Sequence, residues 1–246
     1  MALAYQARGG HLNAPRLSDR LEALLALLRP CGVLVDVGTD HGLLPLAAVS
    51  RGLAGRAIAI DQAAAPLEVA AANRRRAGLE DKLELRLGSG LRPIGEESAD
   101  ALTLAGVGGR LAARILREGA PRLAGFQQLI LQPNQEPAHV RRWAREAGWH
   151  LEAETMVEEA GRFFPVLAFR PGAGEDPAYA VPGFTVSELE LLGPRLLASA
   201  HPVAARFAQS QHDRLARLHS PAAALWERAT EAMAMSPVVC DHHPAQ

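Results

Sequence analysis

The chain has 246 residues with 48% hydrophobic and 22% charged side chains, enough to bury one large core and too apolar for wholesale disorder. A formal net charge of -1 excludes a strongly basic nucleic-acid binder but allows a local basic face. The longest stretch without Asp, Glu, Lys or Arg is 13 residues, Leu123 to Gln135, too short to cross a bilayer. The opening MALAYQARGG has no apolar signal segment, and Cys31 and Cys240 form neither a disulfide framework nor a zinc-ligand spacing. A soluble, cytoplasmic protein is expected. Lys82 is the single lysine, so 25 of the 26 basic residues are arginine; a compositional bias explains this without invoking function.

In chain order, Leu17, Leu21, Leu24, Leu25 and Leu28 fall at helical spacing and Pro30 closes the segment. VLVDV (33–37) reads as a buried parallel strand ending at Gly38, followed by a helix from about His41 to Arg51. RAIAID (56–61) is the second strand and the alanine-rich stretch from Ala64 to Ala77 the second helix of this unit. Further strands are expected at 82–87, 100–105 and 127–132, with helices at 110–118 and 137–147. This alternation folds as an α/β parallel sheet wrapped by helices. Residues 149–156 and 162–169 read as a hairpin around 158–161 that brings one antiparallel strand into the sheet, and 171–177 (PGAGEDP) as a linker. Segments 186–199 and 203–218 then read as a helical hairpin appended to the sheet domain. The expected divisions are a flexible arm at 1–16, a cofactor-binding domain at 17–171, a helical region at 178–230 and a flexible tail at 231–246.

The chemistry concentrates at strand ends. VLVDVGTDHGLLP (33–45) is a strand ending in Asp-x-Gly before a helix, an arrangement that offers backbone N–H groups at the carboxyl edge of a sheet. The dinucleotide fingerprint G-x-G-x-x-G is absent, because Asp40 stands where its second glycine would be. That side chain obstructs and repels a pyrophosphate, which argues against a nicotinamide-dependent oxidoreductase. S-adenosyl-L-methionine has no phosphate, and its sulfonium and ammonium suit Asp36 and Asp40. Asp61, 25 residues after Asp36 and beside Gln62, is placed to take both ribose hydroxyls. Gly88, Ser89 and Gly90 let an adenine ring approach the third strand's loop. Ala105, Gly106, Val107, Gly108 and Gly109 after the fourth strand admit a methionine arm and a target base. Four such signals in order point to a methyltransferase. The AGVGG segment lacks the amide acceptor and aromatic platform of Asn-Pro-Pro-Tyr, which favours ring-nitrogen over exocyclic-amine methylation.

LSDRLEALLALL, VDVGTDHGLLP, AGVGGRLAARIL and LQPN resemble, in this order, blocks of the bacterial tRNA adenine-22 N1-methyltransferase family. The resemblance runs from about Leu17 to Phe169 and resumes at 188–197. It implies a Rossmann-like methyltransferase domain with a C-terminal helical region, S-adenosyl-L-methionine as cofactor, and methyl transfer to N1 of an adenine in tRNA, without membrane, DNA or metal. Asp36, Gly38, Asp40 and His41 match the family's first motif, and Asp61 an acidic or polar position. Gly88 and Gly90 match the third-strand loop, Ala105, Gly106, Gly108 and Gly109 the glycine motif, and Gln132, Pro133 and Asn134 the last block. Thr39, Gln62, Ser89 and Val107 complete the candidate cofactor site. Ser89 stands where the family usually has Asp, Val107 where it has Met, and Gly42-Leu43 where it has Ala-Tyr.

N1 lies on the Watson–Crick edge, so the target adenine must be unpaired or flipped. The N1 lone pair is already nucleophilic, which leaves positioning as the main requirement. Asp40 is the candidate for stabilising the cationic product, His41 for orienting the base or taking a proton, and Asn134 for reading the adenine edge. The bland readings stand beside these: His41 as an exposed helix start, Asp40 as a helix N-cap, Asn134 as a strand end. Arg74 to Arg76, and Arg141, Arg142 and Arg145, could track phosphates or merely form solvated faces. Arg195, Arg206, Arg214 and Arg217 give the C-terminal helices a faint positive balance. Cys240, Asp241, His242 and His243 are read as adventitious metal binders rather than a site. The alternatives are a methyltransferase acting on a small molecule or protein, and a non-catalytic cofactor-binding scaffold.

Overall fold

The computed structural model describes residues 15–95 and 98–235. Most of the expected N-terminal arm and the Cys240 to His243 group lie outside them. The elements in chain order are α1 (Asp19–Leu27), β1 (Cys31–Val37), α2 (Leu43–Ser50), β2 (Ala54–Asp61), α3 (Ala64–Ala77), β3 (Leu83–Leu87) and β4 (Ala101–Val107). They continue with α4 (Gly109–Glu118), β5 (Gln128–Pro133), α5 (Ala138–Glu146), β6 (Trp149–Glu159) and β7 (Arg162–Pro171). Four helices close the described chain: α6 (Val186–Leu192), α7 (Pro194–Ala198), α8 (Pro202–Arg217) and α9 (Ala223–Met235).

The strands form one seven-stranded sheet in the order β3-β2-β1-β4-β5-β7-β6. Pairs β3-β2, β2-β1, β1-β4 and β4-β5 are parallel, whereas β7 runs antiparallel to both β5 and β6. The hairpin turns on Ala160 and Gly161, both with positive φ, as a two-residue connection between right-twisted strands requires. Alternation along the strands divides the core. Leu34, Ala57, Ala59 and Ile130 join α1 and α2 on one face; Val35, Val37, Ile58 and Ile60 join α4, α5 and the C-terminal helices on the other. Burial on both faces explains why these strands read as near-continuous apolar runs. The strand order reverses between β1 and β4, and a crevice opens beyond the carboxyl ends there.

Three segments differ from the expectations. Helix α2 starts at Leu43 rather than near His41, because Asp40 and Gly42 hold left-handed backbone (φ 53 and 71) that no helix continues. The helix expected over 186–199 is two, broken at Gly193 (φ 91) and Pro194. The hairpin partner of α8 is α9, which runs to Met235, past the point at which the flexible tail was expected to begin. Leu189, Leu196, Ala204, Ala208, Ala229 and Met233 belong to the same core cluster as the sheet. The PGAGEDP segment is pinned by Asp176, whose buried carboxylate accepts hydrogen bonds from the N–H groups of Leu151 (2.7 Å) and Ala178 (2.9 Å).

Of the α5 arginines Arg141, Arg142 and Arg145, the first is buried and the other two are half-buried. They are engaged with Glu154 and Glu190, within the protein. Arg74 donates to the Leu83 carbonyl and Arg76 to Asn73, while Arg195 donates to the Leu151 carbonyl and Arg206 pairs with Glu158. Among the described residues no helix is long and apolar enough to cross a membrane.

Candidate functional site

All five parallel strands end at one edge, so the residues following them meet there. Two cavities adjoin at Gly38 and Val107. One, of about 390 Å³, is lined by Asp36, Thr39, Asp40, His41, Ala105, Gly106 and Asn134. The other, of about 410 Å³, is lined by Asp61, Gln62, Gly88, Ser89 and Gly90, with Leu111 and Arg114 from α4. Of the residues assigned to the cofactor and the reaction from the sequence, Gly108 and Gly109 at the start of α4 line neither cavity, nor do Gln132 and Pro133 of the last block; the others line one or the other.

Asp36 forms the floor. It is buried opposite Thr103 on β4, whose hydroxyl donates to Asp36 Oδ1 at 2.6 Å. Burial pushes the Asp36 carboxyl up to about 6 against the opposing pull of that hydroxyl. Thr103 was missed in the sequence; a polar residue inside the apolar run ALTLA was its signal. Asp61 accepts the Ala63 N–H at Oδ1 (3.0 Å) and the Asp40 N–H at Oδ2 (3.1 Å), which ties the β1 loop to the end of β2. Each carboxylate oxygen keeps a second lone pair for a ligand hydroxyl.

Asp40 is not a helix N-cap: Gly42 holds that place. The Asp40 side chain is 72% exposed, and His41 Nε2 lies 3.5 Å from its Oδ1. Four of the backbone N–H groups expected to face a ligand are taken. Those of Gly38 and Thr39 both donate to the Ile60 carbonyl, that of Asp40 to Asp61, and that of Gly42 to the Thr39 carbonyl.

The loop after β4 is shaped by β5. A register shift between Ala105 and Val107 leaves Gly106 at φ 78, with its N–H on Gln132 Oε1 (3.2 Å) and its carbonyl on Asn134 Nδ2 (2.5 Å). Asn134 Oδ1 accepts from Gln132 (3.3 Å) and from Arg20 of α1 (3.1 Å). The amide expected to read an adenine edge is therefore engaged at both ends, holding the loop. Arg20 also lines this cavity and was not singled out in the sequence. Gly109 is needed for close approach: a Cβ there would sit 2.1 Å from the Glu136 carbonyl oxygen. Gly109→Ala is expected to destabilise the fold by about 2–3 kcal/mol through this overlap with backbone. A thermal melt indistinguishable from wild type would refute it.

The site fits a phosphate-free nucleoside ligand. Both cavities are in the size range of about 300–1,000 Å³ typical of small-molecule sites. A Cβ built on Gly38 or Gly106 meets nothing within 4 Å, so both loops face open space at the junction. The Thr39 side chain is buried at the same place and helps hold the Asp36 carboxylate.

This strand order with an acidic, phosphate-excluding cleft at the reversal point is the architecture of a methyltransferase, and a family model described as a methyltransferase domain matches residues 17–167. The tRNA (adenine(22)-N(1))-methyltransferase of Bacillus subtilis (strain 168) is 37% identical over 185 residues, covering 75% of this chain and 76% of that protein. The crystal structure of the B. subtilis m1A22 tRNA methyltransferase TrmK superposes with a TM-score of 0.77 at 29% identity, covering 89% of this chain and 97% of that one. A Streptococcus pneumoniae protein solved with S-adenosyl-L-methionine gives 0.77 at 32% identity, covering 89% and 98%. The chain belongs to the tRNA (adenine(22)-N(1))-methyltransferase family.

Proposed function

We propose that this chain methylates N1 of adenine 22 in tRNA, using S-adenosyl-L-methionine, by the residues assigned below. The observation that carries the reading is the pair of cavities joined at Gly38 and Val107, one rimmed by Asp61 and the other floored by Asp36. Asp61, with Gln62, holds the ribose, and Gly88, Ser89 and Gly90 border the adenine. Asp36 takes the ammonium, and Gly38, Thr39, Ala105, Gly106, Val107 and Gly108 shape the passage for the methionine arm. When bound, the cofactor supplies a methyl group on a cationic sulfur.

The chain's own part is positional. Asp40 and His41, exposed at the mouth of the Asp36 cavity, meet an adenine entering from solvent. The Asp40 carboxylate faces the positive charge that N1 methylation leaves on the ring, and His41 orients the base. Asn134 acts one step back by fixing Gly106. RNA rather than DNA is the partner of this reading, and the cytoplasm its setting.

The test uses unmodified tRNA transcripts with adenine at position 22, scanned for reverse-transcription stops after reaction. A stop at that adenine is expected. Asp40→Asn, which tolerates the left-handed backbone better than Ala, should slow its appearance about tenfold; the effect of a buried group would be larger. Stops at another adenine, or none, would reject the position or the substrate.

A further inference from the structure

The cavity assigned above to the nucleoside half of the methyl donor has one wall that folding alone does not explain. On α4 it is lined by Leu111, Arg114, Ile115 and Glu118, residues three and four apart that share one helical face. Leu111 is a large apolar side chain left 38% exposed. Ile115 comes so close to the facing loop that a Cβ on Gly90 would lie 3.3 Å from its Cγ2. With Leu104 and Val107 they make an apolar slot between α4 and the loop after β3, suited to the two faces of a purine. Glu118 stands at the end of this stripe, and helix stability does not account for it. It is the last residue of α4, where the helix dipole disfavours an anion. Arg114 precedes it by four positions, the weaker order for such a pair, and the two groups approach only to 4.0 Å.

We infer that the Glu118 carboxylate accepts a hydrogen bond from the 6-amino group of the methyl donor's adenine and thereby selects that base. This rests on the function proposed above. Helix α4 starts beside Val107, where the two cavities meet, and Glu118 comes nine residues after Gly109, about 14 Å along the axis. The 6-amino group likewise lies at the end of the nucleoside far from the sulfur. It carries two hydrogens and needs an acceptor. Among the side chains lining this cavity, Asp61 and Glu118 can only accept; Gln62 and Ser89 also donate, and Arg114 only donates. The Asp61 oxygens already take the N–H groups of Ala63 and Asp40 and serve the ribose. Two nearby carbonyls are engaged as well, that of Ser89 by the Arg92 N–H at 3.3 Å and that of Asp61 by the Gly88 N–H at 2.8 Å. Glu118 is the acceptor left over. A hydroxyl could turn to donate to the carbonyl oxygen that hypoxanthine or guanine carries at the same ring position. A carboxylate repels that oxygen, so Glu118 separates adenine from the oxo-purines.

The test is a binding titration with S-adenosylhomocysteine and with its 6-deamino analogue, in which a hydrogen replaces the amino group. The Glu118 side chain is 59% exposed, which places the effect at the low end for a hydrogen bond to a charged group. Wild type should bind S-adenosylhomocysteine about tenfold more tightly than the analogue. Glu118→Ala should weaken S-adenosylhomocysteine by about that factor and leave the analogue within about twofold, so that the preference disappears. Glu118→Gln, whose amide oxygen still accepts, should recover part of it. Equal weakening of both ligands by Glu118→Ala would reduce Glu118 to a structural role and overturn the inference. A wild type without the preference would overturn it too, as would a preference that survives Glu118→Ala; its loss in Ser89→Ala would then give the role to the Ser89 hydroxyl. The transcript assay on wild type would still stand in each of these cases. A wild-type protein that binds neither ligand would overturn the inference together with the proposed cofactor.

Discussion

Arg141→Met is expected to destabilise the folded protein by about 3–5 kcal/mol, because it leaves Glu154 buried and unpaired. The Arg141 side chain is 1% exposed and that of Glu154 is fully buried, with Nε and Nη2 of Arg141 at 2.7 and 2.6 Å from Glu154 Oε1. Arg141 also donates from Nη1 to the Glu190 carbonyl at the end of α6, at 2.6 Å. Glu154 Oε2 accepts from the Leu196 N–H of α7 at 3.4 Å. One buried pair therefore fastens α6 and α7 to α5 and β6. Coulomb attraction alone does not make such a pair favourable, since both ions lose their water; the penalty appears when one partner is removed. The double variant Arg141→Met with Glu154→Leu should then be more stable than Arg141→Met alone. Denaturant unfolding of the four proteins checks this as a double-mutant cycle. A double variant as unstable as the sum of the single ones would refute the coupling. Glu190, buried beneath Arg142 and Arg145 at 2.8 and 3.0 Å, makes a second fastening on the same helix.

These contacts show what the sequence could and could not reveal. The sheet was legible because β1, β2, β4 and β5 are buried on both faces and therefore carry unbroken apolar runs. Helix α3 matches its expected bounds, Ala64 to Ala77, where a left-handed glycine, Gly78, ends it. Asp36, Asp61 and the glycines after β3 and β4 were legible because strand ends of a parallel sheet converge on one edge. The α5 arginines were misjudged because a partner's burial cannot be read from charge: Glu154 and Glu190 lie 13 and 45 positions away from Arg141 and Arg145. Helix α9 went unread because its stripe is mostly alanine, and only Ala229 and Met233 are buried. Arg20 was hidden for a similar reason, since a single arginine on an amphipathic helix looks solvated until the fold brings Asn134 and Phe164 beside it.

The second large effect concerns Asp36, where stability and binding should move in opposite directions. An ordinary aspartate titrates near 3.8; burial raises Asp36 to about 6. Between those values the folded chain holds a proton that the unfolded chain has released, so stability falls as pH rises through this window. Above about 6 both states are ionised and the full penalty remains, about 3 kcal/mol for a shift of this size. A neutral amide in place of the carboxylate carries no such penalty, yet can still accept the Thr103 hydroxyl. Asp36→Asn is therefore expected to be more stable than wild type at pH 7 by about 1–3 kcal/mol, with the difference shrinking toward zero as pH falls to 4. The same substitution removes the buried anion proposed to hold the donor's ammonium, and should weaken S-adenosylhomocysteine about a hundredfold. In wild type, affinity should fall as pH drops below about 6, and binding near that pH should release a proton, because the ammonium favours the ionised carboxylate. Unfolding of both proteins across this pH range, with titrations in buffers of different ionisation enthalpy, measures all three effects. A pH-independent stability difference would refute the raised pKa, and unaltered binding in Asp36→Asn would remove Asp36 from the cofactor site. If both expectations hold, the cleft floor carries a charge that folding alone disfavours and that ligand binding turns to use.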